Sequence, residues 1–189
     1  LLMLGISTSL LSMVLDNVTT IMLMAPMLLL IAELLDISPI PLLISQAMFS
    51  NLGGMATLVG DPPNILIGAA SGLTFTDFLM HMGPFVLVAW SVSYLSFRLM
   101  FRNHLTPVTP EQQARLGQLK LKEALHNPTD AKHILIVIAG VVALFFLEGT
   151  LHIAPAFAAM TGAGLALAWT QDEVHEVLQA VEWDVLLFF

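Results

Sequence analysis

The stretch from Asn51 to Asn64, NLGGMATLVGDPPN, decides the fold. It places Gly53, Gly54, Pro62, Pro63 and the ionisable Asp61 within sequence as apolar as a membrane span. Irregular backbone at membrane depth persists only where protein or a water-filled cavity satisfies its N–H and C=O groups, because hydrocarbon offers no partner. A carboxylate at that depth costs at least about 2.5 kcal/mol on insertion scales, so it marks a functional site by default. The stretch therefore predicts half of an ion-binding or substrate-binding site in a transporter.

The composition is that of an integral membrane protein. The 189 residues are 57% hydrophobic and only 11% charged, with a mean hydropathy of +0.87, whereas soluble domains are about 25% charged. The chain contains no cysteine, which excludes disulfides, thiolate metal sites and redox motifs. Because Leu1 opens within an apolar run and residues 185–189 begin another, we expect a fragment of a longer protein.

The distribution of charge orients the chain. The net charge is −8, which gives no basic surface for nucleic acid, and all six Lys and Arg residues lie between positions 98 and 132. By the positive-inside rule this connection is cytoplasmic. We therefore expect a cytoplasmic linker over residues 102–132, with one helical piece from Glu111 to His126, in a multi-pass protein of the lipid bilayer.

The N-terminal part predicts a re-entrant helical hairpin over residues 1–35. Leu1 to Leu15 would cover about 22 Å as a helix, less than the ~30 Å hydrocarbon core. Val18 to Leu35 follows without a loop polar enough to leave the membrane. If the hairpin enters from the cytoplasm and returns there, its polar tip, Asp16 to Thr20, reaches the bilayer midplane.

A broken helix is predicted over residues 39–72, with apolar arms at Ile40 to Phe49 and Ile65 to Ala70 and a Gly-rich turn between them. Its polar tip runs from Ser50 to Asn64. Two such tips at matched depth favour a shared site, because half-helices that meet at the midplane form the ion and substrate sites of many transporters.

The rest of the chain predicts a surface stretch, a membrane span, a helix pair and an interfacial segment. Thr74 to His81 reads as a short amphipathic surface stretch capped by Thr74 or Thr76, followed by a span over residues 83–101. A helix pair over residues 133–170 turns at Glu148 to Thr150, and the small residues at positions 162–164 allow close helix contact. Residues 171–189 are expected to form an acidic interfacial segment that leads into a further apolar run.

The hairpin tip offers oxygen ligands that suit a hard cation such as sodium, or a proton. These are the side chains of Asp16, Asn17, Thr19 and Thr20. The structural alternative is capping, in which Asp16 or Asn17 caps a helix from Val18 while the threonines bond the preceding turn. Capping and ion binding are compatible.

The second tip also combines polar side chains with flexible backbone. Gly53 and Gly54 would let backbone groups approach a ligand closely, and Pro62 suits a helix that restarts after Asp61. A helix N-terminus there favours an anion, whereas unwound carbonyls favour a cation. The alternative is a kinked helix that serves packing only. The side-chain oxygens belong to Ser50, Asn51, Thr57, Asp61 and Asn64.

Other polar residues carry less functional weight. Glu33, Asp36 and Glu148 fall where segments leave the membrane and are expected to be solvated. The six histidines show no metal-binding spacing, so no metal is expected beyond a transported sodium at the two tips. We expect no cofactor and no enzymatic activity, because no nucleophile with a base is visible at membrane depth.

Two motifs resemble a known superfamily. DNVTTIMLMAP at Asp16 to Pro26 and SNLGGMATLVGDPPNILIGAASGLTFTDF at Ser50 to Phe78 resemble the ion transporter superfamily, in the branch of arsenite permeases, NhaD-type sodium/proton antiporters and P-protein relatives with a citrate transporter-like domain. The resemblance covers nearly all of residues 1–101. VEWDVLLFF at residues 181–189 looks like the start of the family's second half.

The resemblance implies an all-α membrane fold of two inverted repeats, each with a re-entrant hairpin and a broken helix, working by alternating access. It matches two groups of residues to a first cation site, with Asp16 and Asp61 as the titratable members. The hairpin-tip group is Asn17, Thr19 and Thr20, and the unwound-helix group is Asn51, Gly53, Gly54 and Thr57.

The leading functional hypothesis is a secondary transporter of a small inorganic ion, either a sodium/proton antiporter or an arsenite-type efflux protein. A sodium-coupled citrate or dicarboxylate carrier is the alternative within transport, although Asp16 and Asp61 would repel a polyanion. An ion channel is the alternative from another class, since the same tips could line a pore. Expected partners are a small ion or small anion, the lipid bilayer and a second copy of the chain in a homodimer.

Overall fold

A computed structural model describes residues 1–102, 112, 128–151 and 153–170, together with positions 175, 177, 179, 181 and 183. Its contacts divide the chain into two units, Leu1–Lys120 and Leu121–Phe189. The elements of both units are helices and the described residues include no strand, which agrees with the all-α prediction. The predicted helix from Glu111 to His126 and the segment over residues 171–189 lie mainly outside the described residues.

The first unit contains five helices, α1 (Leu2–Ser12), α2 (Asn17–Leu34), α3 (Ile40–Gly54), α4 (Pro62–Ser71) and α5 (Phe75–Met100). Helices α1, α2 and α3 pack on one another, and α3 also packs on α5. Phe49 of α3 is fully buried and its ring lies 5.2 Å from that of Trp90 and 5.8 Å from that of Phe97, both on α5. The core of this unit therefore surrounds α3.

Helices α1 and α2 form a helix-turn-helix around residues 13–16. They run antiparallel, because Thr8 Oγ1 lies 3.6 Å from Met24 Sδ, on the two sides of the turn. Their 11 and 18 residues correspond to about 16 and 27 Å of helix. The predicted hairpin is present with unequal arms, and its re-entrant path through the bilayer stays a prediction.

The break predicted after α3 is present, but it begins later than expected. Asn51 to Gly54 are still helical, and the non-helical segment covers residues 55–61. A Cβ on Gly53 would lie 2.4 Å from the Ser9 carbonyl oxygen, so α1 backbone packs directly on this turn of α3. This packing offsets the low helix propensity of the two glycines and holds the turn helical.

Helix α5 departs from the sequence prediction. Residues 74–81 and 83–101 were expected to be separate segments, whereas Phe75–Met100 form one 26-residue helix. Thr74 starts it through a capping box with Asp77, and buried residues before and after Pro84, namely Phe78 and Val86, hold it to the unit. Packing on both sides of Pro84 thus outweighs the hydrogen bond that proline cannot make.

The second unit contains α6 (Pro128–Phe146), the short α7 (Glu148–Leu151) and α8 (Pro155–Thr170). The linker expected to end at residue 132 gives way to helix at Pro128, a residue that the first helical turn tolerates. A Cβ on Gly162 would lie 2.2 Å from Val141 Cγ2, which confirms the close helix contact expected there. Gly164 has open space instead.

Two helices in the described part of the chain, α2 and α5, are long and apolar enough to cross a membrane. Only 17% and 11% of their most apolar windows are buried, whereas the core helix of a soluble protein is mostly buried. Their outer surfaces are therefore apolar, as expected for helices that contact lipid or further membrane helices.

Candidate functional site

The two predicted polar tips lie against each other in the structure. Asn17 Nδ2 donates to Asn51 Oδ1 at 2.7 Å, which joins the start of α2 to the last turn of α3. Ser50 Oγ donates to the Asn17 carbonyl oxygen at 3.0 Å and lies 3.2 Å from Ser12 Oγ. The tip cluster is defined as Asp16, Asn17, Ser50, Asn51 and Asp61, and the Asn17–Asn51 bond within it joins residues 34 positions apart in sequence.

Asp16 is the N-cap of α2, as the capping alternative predicted. Its carboxylate accepts a hydrogen bond from the Thr19 backbone N–H at 2.9 Å and a second one from the Thr19 hydroxyl. Thr19 therefore bonds the Asp16 carboxylate, whereas sequence reasoning had it bond the preceding turn. The helix also begins at Asn17, one residue earlier than expected.

Asp61 stands at the N-cap position of α4 but makes no capping hydrogen bond through its side chain. Its carboxylate lies close enough to that of Asp16 for the two negative charges to repel each other. Helix α4 begins at Pro62, which is the helix restart predicted after Asp61. Because the sequence has no Lys or Arg before Arg98, helices α1 to α4 supply no cationic side chain to balance these carboxylates.

Thr57 and Asn64 hold the non-helical segment between α3 and α4. Thr57 Oγ1 donates to the Met13 carbonyl oxygen at 2.7 Å and accepts from the Gly60 N–H at 3.0 Å. Asn64 Nδ2 donates to the carbonyl oxygens of Gly54 and Thr57 at 3.2 and 2.9 Å. These side chains satisfy the polar backbone groups that irregular structure at membrane depth must satisfy internally.

The glycines of the second tip lie against protein backbone. A Cβ on Gly54 would stand 2.6 Å from the Gly60 carbonyl oxygen, and one on Gly53 would meet Ser9 of α1 as described above. A Cβ on Gly60 would lie 2.7 Å from the carbonyl oxygens of both Gly54 and Ser12. In this conformation the glycines permit α1, α3 and the segment 55–61 to pack at backbone distance.

Thr20 differs from its neighbours in the hairpin tip. It is fully buried, and its hydroxyl has no hydrogen-bonding partner in the protein. The predicted bond to the preceding turn is therefore not formed. Thr20 lies on the buried side of α2, whereas Asn17 is half-buried and Asn51 exposed.

Sequence reasoning missed three polar residues that support the tip cluster. Ser9 Oγ accepts from Trp90 Nε1 at 3.0 Å and donates to the Phe49 carbonyl oxygen at 2.9 Å, and Ser12 contacts Ser50. Gln46 Nε2 donates to the Ile21 carbonyl oxygen at 3.2 Å. A signal was available, because Thr8 and Ser12, like Gln46 and Ser50, are spaced four residues apart and share one helix face.

The tip cluster combines two carboxylates and two amide side chains at a partly open surface. These are the oxygen ligands of hard cations, and a carboxylate can also take up a proton. Among the described residues, no group of three or more His, Cys, Asp or Glu side chains could hold a metal ion.

Comparison with known proteins identifies a family and several relatives that the chain resembles. It matches the family described as "Citrate transporter" over residues 1–189. An uncharacterized transporter of Mycobacterium tuberculosis is 40% identical over 189 residues, which cover 100% of this chain and 44% of that protein. A 46 kDa membrane protein of Mycobacterium leprae is 39% identical over 194 residues, with the same shares.

The P protein of Mus musculus is 38% identical over 106 residues, 53% of this chain and 13% of that protein. The predicted likeness to the ion transporter superfamily is thereby confirmed. No solved structure matches the chain significantly. The chain spans about 44% of the length of its mycobacterial relatives, which are transporters and membrane proteins by name. By its match over all 189 residues, the chain belongs to the citrate transporter family of membrane transporters.

Proposed function

We propose that the chain forms the first half of a secondary active transporter that moves a small inorganic ion by alternating access. The observation that carries the proposal is the tip cluster, in which the Asn17–Asn51 bond joins two tips and the carboxylates of Asp16 and Asp61 lie close enough to repel each other. Binding of a cation or a proton by these carboxylates would relieve the repulsion and lower the electrostatic free energy of the cluster.

A cation suits the cluster better than an anion. Helix N-termini are the usual anion sites of a transporter, and two of them, those of α2 and α4, lie here. The first is occupied by the chain's own Asp16 carboxylate. The second begins with Pro62 and Pro63, which lack the N–H groups that an anion would use. Sodium/proton antiport is therefore favoured over arsenite-type efflux.

Proton coupling follows from competition for the same carboxylates. Neither side-chain oxygen of Asp61 caps α4, so both oxygens are available to a proton or a cation. Either one relieves the repulsion from Asp16, but the two compete. A carrier that binds the cation on one side of the membrane and a proton on the other would move protons in the direction opposite to the cation.

A citrate or dicarboxylate carrier is the second candidate, and the description of the matching family favours it. The substrate carboxylates would then require donors from outside the tip cluster, because Asp16 and Asp61 repel them. A bound cation could bridge the cluster and the substrate. In either case we propose a multi-pass protein of a bacterial inner or plasma membrane, with a re-entrant hairpin and two inverted repeats.

Thermal stability of the purified full-length protein tests the choice of ligand. Sodium or lithium at 100 times its dissociation constant should stabilise the protein by about 2.7 kcal/mol relative to choline at equal ionic strength. Asp61→Asn should abolish this shift, whereas Glu33→Gln, an exposed carboxylate at the other end of α2, should preserve it. Stabilisation by citrate without any effect of sodium or lithium would reject the cation site and support the second candidate.

A further inference from the structure

A second polar site lies between α2 and α3, at Thr20 and Gln46. Both side chains are fully buried, and two of their oxygen atoms, Thr20 Oγ1 and Gln46 Oε1, have no hydrogen-bonding partner in the protein. Leaving a buried polar atom unpaired is costly, which is why such atoms in folded proteins almost always have a protein or water partner. Thr20 on α2 and Gln46 on α3, two helices that pack on each other, each therefore require a partner that is not a protein group.

The orientation of the Gln46 amide is fixed by its neighbour. Gln46 Nε2 donates to the Ile21 carbonyl oxygen at 3.2 Å, and a carbonyl can only accept, so exchanging the amide nitrogen and oxygen would place two acceptors together. The Gln46 amide oxygen is therefore the free end. The same bond brings the Gln46 side chain to the residue that follows Thr20 on α2.

The free atoms are one acceptor and one hydroxyl, both neutral. A sodium ion takes several oxygen ligands and gains most from carboxylates, which this pair lacks. A water molecule needs two to four polar partners, and it can donate to Gln46 Oε1 while it accepts from or donates to the Thr20 hydroxyl. We propose that Thr20 and Gln46 bind one buried water molecule between α2 and α3.

The proposed water site also separates Thr20 from the tip cluster. Thr20 follows Asp16 and Asn17 by about one helical turn, and Gln46 precedes Ser50 by four residues, which is also about one turn. The site then lies one turn deeper between the helices than the Asn17–Asn51 bond. This inference depends on the buried atoms alone and stands whichever ion the protein transports.

A double-mutant cycle on the full-length protein tests the water site. Thr20→Val and Gln46→Leu should each lower the apparent melting temperature by about 3 °C or more. Each substitution removes one hydrogen bond of the water and leaves the other polar side chain buried with an incompletely bonded water. The double variant should recover most of this loss, since both polar groups are then replaced together. Thr161→Val, which removes an exposed hydroxyl bonded within its own helix, is the matched control and should shift the melting temperature little.

Two outcomes would overturn the proposal. If the two atoms are simply unpaired, Thr20→Val will be neutral or stabilising, Gln46→Leu will cost only its hydrogen bond to Ile21, and the two effects will add. If the site holds a cation, sodium will stabilise the wild type and this effect will disappear in Thr20→Val but persist in Asp61→Asn, which also distinguishes it from the tip cluster. A density map of the full-length protein should show one water-sized feature within hydrogen-bond distance of both oxygens.

Discussion

Thr57 shows at the scale of one residue how the non-helical segment is stabilised. Its hydroxyl is almost fully buried and serves two backbone groups, the Met13 carbonyl and the Gly60 N–H. Sequence reasoning placed Thr57 at the site because it supplies a side-chain oxygen to the second tip. It could not see these backbone partners, because Met13 is 44 positions away in sequence.

Thr57→Val should therefore destabilise the protein by about 2 to 3 kcal/mol, since it removes two hydrogen bonds and leaves buried backbone groups unpaired. Thr57→Ser keeps the hydroxyl and should retain most of the stability. Thermal unfolding of both variants in detergent measures the difference. Equal losses in the two variants would mean that the methyl packing, and not the hydroxyl, matters at this position.

Gly53 is predicted to be indispensable for packing. A Cβ there would lie 2.4 Å from the Ser9 carbonyl oxygen, so Gly53→Ala should push α1 from α3 and cost about 1 to 3 kcal/mol. Gly140→Ala is the matched control, because that helical glycine has open space around it. The control should stabilise its helix by up to about 1 kcal/mol. Comparable melting temperatures for the two variants would contradict the close contact.

At the scale of elements, the strongest start signal in the chain is the capping box of α5. Thr74 Oγ1 accepts from the Asp77 N–H at 3.1 Å, and the Asp77 carboxylate accepts from the Thr74 N–H at 3.2 Å. Sequence reasoning identified the cap as Thr74 or Thr76 and expected this stretch to end at His81, before a separate span over residues 83–101. Local chemistry thus predicted where α5 begins, but tertiary packing decided that it continues.

Thr74→Ala should cost about 1 kcal/mol through loss of the N-cap. Thr76→Ala, two residues into the same helix and exposed, should change stability by a few tenths of a kcal/mol at most, as is usual for surface positions. Hydrogen exchange at the amides of residues 75–78 should accelerate only in the first variant. Faster exchange in Thr76→Ala instead would assign the cap to the other threonine.

The break in the second polar tip was predictable for a related reason. Asp61 and the two prolines after it are strong helix-start signals, and α4 begins there. The end of α3, where the break begins, was less predictable. Glycines lower helix propensity, so the sequence predicted a break at Gly53 and Gly54, whereas the α1 backbone that packs on them lies far away along the chain. Gln46 was missed for a different reason: it falls within an arm that the sequence presents as apolar, although its spacing of four residues from Ser50 was a signal.

For the whole molecule, the two motifs were specific enough to predict the superfamily, and the match over residues 1–189 confirms it. They also predicted that the hairpin tip and the second tip meet, and the Asn17–Asn51 bond joins them. The transported substrate could not be predicted from the chain, because it spans about 44% of its mycobacterial relatives. A substrate site shared by two repeats would receive ligands from both.

Proton movement in proteoliposomes of the full-length protein is the most direct measurement of the proposed exchange at the tip cluster. With an internal pH indicator, addition of sodium or lithium should move protons in the direction opposite to the cation. Asp16→Asn or Asp61→Asn should abolish this proton movement, whereas Glu33→Gln should preserve it. Proton movement that survives both aspartate substitutions, or citrate flux with no cation-driven proton movement, would contradict a cation/proton exchange at Asp16 and Asp61.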